Sequence, residues 1–173
     1  MRRANTQAFG RQFGITALEL ALAIGVIASF AAFLLIGLLR AEEMGERTAV
    51  QMTIMNFRSA LRLRMAHYII SGQEAEIPKL VGANPAGWMQ PPPGYLGEFK
   101  GVKASDMKQG TWYFDGDRRE LVYSPRLDSA LDPSSGGRPA LRWRVQGGTS
   151  TGMVRGINLV ATEQVSWFGA PMR

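Results

Sequence analysis

The chain has 173 residues, with no cysteine and a single histidine, His67. The first absence excludes any disulfide as a source of stability. The second leaves little for acid–base or metal chemistry. His67 stands between Ala66 and Tyr68 with no serine elbow near it, and the glycines fall in turns rather than in a phosphate-cradling motif. No catalytic arrangement emerges, and an enzyme is not expected. Proline is absent until Pro78, and no acidic residue precedes Glu19. After Glu19 no charge of either sign occurs until Arg40.

A run without charge is itself a feature. Ile15 to Leu39 as a helix extends about 38 Å, longer than the roughly 30 Å hydrocarbon core of a bilayer, so it can cross with some tilt. Glu19 sits near its start, and a carboxylate in such a segment is costly enough to be read as functional. Arg2, Arg3 and Arg11 precede the run, while Arg40, Glu42, Glu43, Glu46 and Arg47 open the other side. The positive-inside rule places the N-terminus in the cytoplasm and everything after Leu39 on the far side. A cleaved secretory signal is the competing reading. Signal cores usually span about 7 to 15 residues and carry no carboxylate, and cleavage at Ser29-Phe30-Ala31 would strand Phe33-Leu34-Leu35-Ile36 on the mature chain. A retained segment fits better.

These residues carry a resemblance. A short basic leader ending in Gly14, then Ile15, Thr16, Leu18 and Glu19 opening a long hydrophobic helix, resembles the prepilin signature of type IV pilins and type II secretion pseudopilins. The resemblance covers about the first 70 residues. It implies cleavage between Gly14 and Ile15 by a prepilin peptidase, N-methylation of Ile15, and assembly roles for Glu19 and Thr16. Cleavage creates a positive amine on Ile15, so an apolar bundle then holds two opposite charges able to compensate one another. In the family the glutamate of an incoming subunit pairs with the N-terminal amine of its neighbour. An intrachain contact, one helical turn back to Ile15, is the competing arrangement, and a carboxylate solvated by lipid headgroups is the bland one. Ile15 departs from the commoner phenylalanine and the membrane-spanning helix has no proline; Gly25 and Gly37 supply either local flexibility or close packing instead.

Beyond the span, Val50, Ile54, Phe57, Leu61 and Tyr68 recur at helical intervals, which predicts one continuous helix from about Thr16 to Ile70 with an amphipathic second half, ended by Ser71-Gly72. Residues 72–110, with Pro78, Pro85, Pro91, Pro92 and Pro93, read as a loop-rich connection. There Trp88 and Tyr95-Leu96 are either subunit contacts or local packing. Four segments are rich in strand formers, at 111–114, 120–123, 141–145 and 156–160. Asp115-Gly116-Asp117 signals a hairpin with Trp112 and Phe114 on one side and Tyr113 on the other. Leu141, Trp143 and Val145 alternate with Arg142 and Arg144, predicting one buried and one wet face. The expected fold is α+β and pilin-like, a long N-terminal helix packed on a C-terminal antiparallel sheet. The expected divisions are a leader at 1–14, a transmembrane helix at 15–39, its amphipathic continuation at 40–71, the connection at 72–110 and the sheet at 111–173.

Net charge is formally +6 and falls to +3 when the three leader arginines are removed, a weak field. Arg118-Arg119, Arg126, Arg138, Arg142, Arg144 and Arg155 could cluster, and Arg142-Trp143-Arg144 interleaves cations with an aromatic ring as single-strand readers do. Strand alternation explains that pattern without a ligand, so nucleic acid is disfavoured as a partner. Asp128, Asp132 and Ser134-Ser135 resemble the calcium-stabilised loop of major pseudopilins but lack the full ligand set, so no cofactor or metal is expected. Asp115 and Asp117 are more simply turn formers. The resemblance thus implies a structural subunit of a type IV pilus or type II secretion pseudopilus, anchored in the inner membrane with a periplasmic head. Its implied partners are prepilin peptidase, other pilin or pseudopilin subunits, the inner-membrane assembly platform and membrane lipid. The alternatives are a filament-tip subunit that binds DNA or a secreted substrate, and an anchored periplasmic domain that never polymerises.

Overall fold

The computed structural model describes residues 16–103, 106–132, 140–150 and 153–172. Gly14, Ile15, Ser134, Ser135 and Arg138 lie outside these, as do the surroundings of the Arg155 side chain. The chain divides into two compact units between Arg40 and Ala41.

A single helix, α1 (Ala17–Ile70), has the extent that hydropathy and periodicity predict. Its first part, through Glu42, is exposed at every position, the pattern of a helix with no protein around it. It is the one helix among the described residues long and apolar enough to cross a membrane. The second part buries Val50, Ile54, Phe57 and Leu61 and half-buries Tyr68, the predicted stripe. Gly72, at φ 68°, ends it. Its N–H reaches the Ile69 carbonyl at 3.2 Å, and the next N–H, of Gln73, reaches that of Tyr68 at 2.8 Å. This is a Schellman closure, which needs a left-handed residue and therefore favours glycine.

The stripe faces a five-stranded sheet. Its strands are β1 (Tyr95–Phe99), β2 (Thr111–Asp115), β3 (Glu120–Ser124), β5 (Leu141–Ser150) and β6 (Met153–Ala161), in spatial order β1-β2-β3-β5-β6. β4 (Leu131–Asp132), β7 (Ser166–Trp167) and β8 (Ala170–Pro171) form a second, three-stranded sheet. All four predicted strands are present. The antiparallel expectation holds from β2 to β6 and fails at one edge, where β1 runs parallel to β2. The larger sheet therefore begins inside the proline-rich connection, before residue 111. That connection also holds 3-10 turns at Glu74–Leu80 and Pro85–Trp88. β1 escaped the sequence reading because Gly97 breaks its apolar pattern and its register shifts between Tyr95 and Glu98.

Trp112, Phe114, Leu121, Tyr123, Leu141, Trp143, Val145, Ile157 and Leu159 pack with the α1 stripe in one core. Phe57 meets Trp112 edge-on at 6.3 Å between ring centres. Fully burying aromatic and aliphatic side chains of this size contributes roughly 1.5–3 kcal/mol each, so this seam dominates the head's stability. Trp88 and Tyr95 pack on the margin of the core, the local-packing reading of the connection, whereas Leu96 is exposed.

Candidate assembly surface and the junction beside it

The apolar half of α1 opens on a reciprocal cap. The Thr16 N–H donates to Glu19 Oε2 at 2.9 Å, its hydroxyl donates to the same oxygen at 3.0 Å, and the Glu19 N–H returns a bond to Thr16 Oγ1 at 3.2 Å. This is a capping box, in which a hydroxyl and a carboxylate three residues apart satisfy free N–H groups of the first turn. The two expected assembly residues are thus brought together. Both bonds to the carboxylate use Oε2, and Glu19 Oε1 has no hydrogen-bond partner among the described residues. The intrachain contact to Ile15 falls outside those residues.

On the head half, the side of α1 away from the buried stripe carries Met44, Thr48, Met52, Met55, Ser59 and Leu63, all exposed. From Met44 to Ser59 this side holds no charge. Its hydroxyls are turned inward, Thr48 to the Met44 carbonyl at 2.9 Å and Ser59 to that of Met55 at 3.0 Å. What they leave outward is an uncharged side dominated by exposed methionines and Leu63, apolar surface that another helix could pack against. His67 is exposed near the end of α1, beside Tyr68.

The residues that sequence reasoning missed stand at the start of the head half. Glu43 is 2% exposed, although its charge suggests water. Its Oε1 accepts from the Ala130 N–H at 2.8 Å and the Trp167 indole N–H at 2.9 Å, and its Oε2 from the Ser129 hydroxyl. One turn on, Glu46 accepts from the Tyr123 hydroxyl at 2.7 Å and from the N–H groups of Arg126 and Leu127 at 2.6 and 3.2 Å. Two glutamates thereby fix the segment between β3 and β4, and Glu43 also holds β7. Burial pushes the Glu43 carboxyl up, but these three donors pull it down further and leave it below the ordinary carboxyl range. The Tyr123 phenol is pushed well up, by burial first and then by its bond to Glu46 and the charge there. A signal for Glu43 was present, since it precedes Val50 by seven residues and so lies on the buried stripe.

The predicted wet face holds in part at Arg144, whose side chain is 40% exposed, and fails at Arg142. Arg142 reaches Glu120 at 3.3 Å and Asp115 at 3.8 Å, and Arg144 reaches Glu120 at 2.8 Å. Only 12% of the Arg142 side chain is exposed. The reason is register. Val122 opposes Arg142, so Glu120, two residues before it on the same face of β3, lies on the same side of the sheet as Arg142 and Arg144. Asp115 instead shapes the hairpin, its Oδ1 accepting from the N–H groups of Asp117 and Arg118 at 3.1 Å each. Among the described residues no group of three or more acidic or histidine side chains is placed to hold a metal ion. Asp128 and Asp132 belong to the segment fixed by Glu43, where the Asp128 carbonyl accepts from the Leu131 N–H at 3.1 Å. Compared with known proteins, the chain matches no family model, no curated protein and no solved structure.

Proposed function

We propose that this chain is a structural subunit of a type IV pilus or type II secretion pseudopilus. In this reading prepilin peptidase cuts between Gly14 and Ile15, Ile15 is N-methylated, and the subunit waits in the inner membrane with its head in the periplasm. Assembly then proceeds through α1. The observation that carries the proposal is Glu19, the sole charge on the apolar half of a 54-residue helix whose flanks are otherwise bare. Its Oε1, without a partner among the described residues, is an acceptor in a medium where an unpaired charge is costly, and the amine made by cleavage of a neighbouring subunit is its natural partner. Thr16 keeps the carboxylate satisfied at its other oxygen meanwhile. The uncharged side from Met44 to Ser59 offers the head half a second helix-packing surface. Recognition here needs no catalytic group, and the chain acts by assembling rather than as an enzyme. Arg142 and Arg144, engaged by Glu120, do not favour the DNA-binding alternative.

Mass spectrometry of the membrane-extracted protein from cells with active peptidase tests the processing step. The expected mass is that of a chain starting at methylated Ile15, and an intact N-terminus rejects the proposal. Glu19→Ala should insert normally yet fail to enter filaments, and normal incorporation of that variant would remove the role given to Glu19.

A further inference from the structure

A groove of about 380 Å³ lies on the head between the β2–β3 turn and the loop after Leu80, lined in part by Arg118, Arg119, Arg144 and Gly82. Glu120 already offsets the charge of Arg144, whereas Arg118 and Arg119 beside it repel one another unless an anion is shared between them. Glu120 engages Arg144 through Nη2 alone. The Arg144 Nε is buried without a hydrogen-bond partner among the described residues. Neither Arg118 nor Arg119 has a carboxylate within ion-pair distance among those residues, and Asp117 in the same turn accepts from the Gly101 N–H at 2.5 Å.

The backbone is built around Arg119. It adopts φ 55°, a left-handed conformation that a long side chain rarely takes and that ordinarily persists where surrounding structure enforces it. Its side chain lies over Gly82, where a Cβ would come within 2.9 Å of Arg119 Cδ. Gly82 itself is at φ 69° and is fixed by its N–H to the Val145 carbonyl at 2.9 Å. A glycine leaves the space and a strained residue fills it with a cation.

We propose that this groove is a binding site for a phosphate group. Arg118 and Arg119 together offer more donors than a planar carboxylate can use, and Arg144 adds only those that Glu120 leaves, whereas a tetrahedral phosphate presents three acceptor oxygens and up to two charges. The lining has no aromatic side chain on which a base could stack, so the ligand is a phosphate monoester or the free anion rather than a single-stranded nucleic acid. The site does not depend on the assembly reading and stands or falls separately from it.

The test is isothermal titration calorimetry of the full chain in nonionic detergent at low ionic strength. The probes are inorganic phosphate, dihexanoyl phosphatidic acid below its micelle concentration, and acetate. Saturable binding of phosphate or of the short lipid is expected. Arg118→Gln and Arg119→Gln should each weaken it about tenfold, the size of one charge-assisted hydrogen-bonded pair, and Lys108→Gln should not. Tighter binding of the lipid would assign a headgroup as the source, and equal binding the free anion. Absence of saturable heat with both phosphates, acetate binding as tight as phosphate, or undiminished binding by Arg118→Gln would each overturn the proposal. Arg118 lies in an exposed turn, so its variant tests the site without the strained backbone at Arg119.

Discussion

The two parts of α1 treat a carboxylate in opposite ways. In the apolar half, Glu19 is exposed and, among the described residues, satisfied within its own turn by Thr16. In the head half, Glu43 is buried and satisfied wholly by residues 86 to 124 positions away. A group met by its own turn leaves the rest of its helix free for an external partner. A group met across the fold commits the helix to that fold. The same contrast runs through the apolar side chains: those of the first half are exposed, while Val50, Ile54, Phe57 and Leu61 are used up inside the head.

This contrast breaks most sharply at Phe57, fully buried against Trp112. Phe57→Ala should destabilise the head by about 4 kcal/mol, lowering the melting midpoint by on the order of 10 °C in circular dichroism of the full chain in detergent. Next comes Glu43→Ala, which leaves the Trp167 and Ala130 donors buried and unpaired at a cost of roughly 3 kcal/mol, read in the same melts. The Glu43 carboxyl sits lower in the fold than the ordinary value of 4.5, so the folded state prefers its ionised form. That contribution is full above the unfolded value and is lost as pH falls through the folded one; acid melts of the wild type should show a loss that Glu43→Ala lacks. Tyr123 titrates in the opposite sense. Its phenol is raised, so its contribution is present below the ordinary tyrosine range and is lost in alkali, and Tyr123→Phe should cost about 1 kcal/mol at neutral pH. Smallest is Met52→Glu on the exposed side of α1, expected to change head stability by no more than about 0.5 kcal/mol. A large loss there would show that this side is part of the head's own packing rather than free for another helix.

Much of the fold was legible because its signals are local. A charge-free run, a 3.6-residue stripe and alternating strands depend on neighbours within a few positions, and the helix from Thr16 to Ile70, the Asp115 turn and four strands were read from them. Other features required register or long-range contact. The alternation of Arg142 and Arg144 with apolar residues was visible, but that Glu120 meets both depends on how β3 pairs with β5. Trp167 gave no sign of joining the core, because a two-residue strand has no period. Glu43 lay on the buried stripe, yet a carboxylate there is tolerable only if donors arrive from elsewhere.

The sequence by itself determined the long helix, its charge-free half and the placement of Thr16 and Glu19 one turn apart, since backbone geometry and hydropathy act within a single helix. Only the tertiary structure decided which charges are buried and what satisfies them. A carboxylate or guanidinium can be desolvated only where the fold carries hydrogen-bond partners to it, and those of Glu43, Glu46 and Arg142 come from segments far away in sequence but adjacent in space.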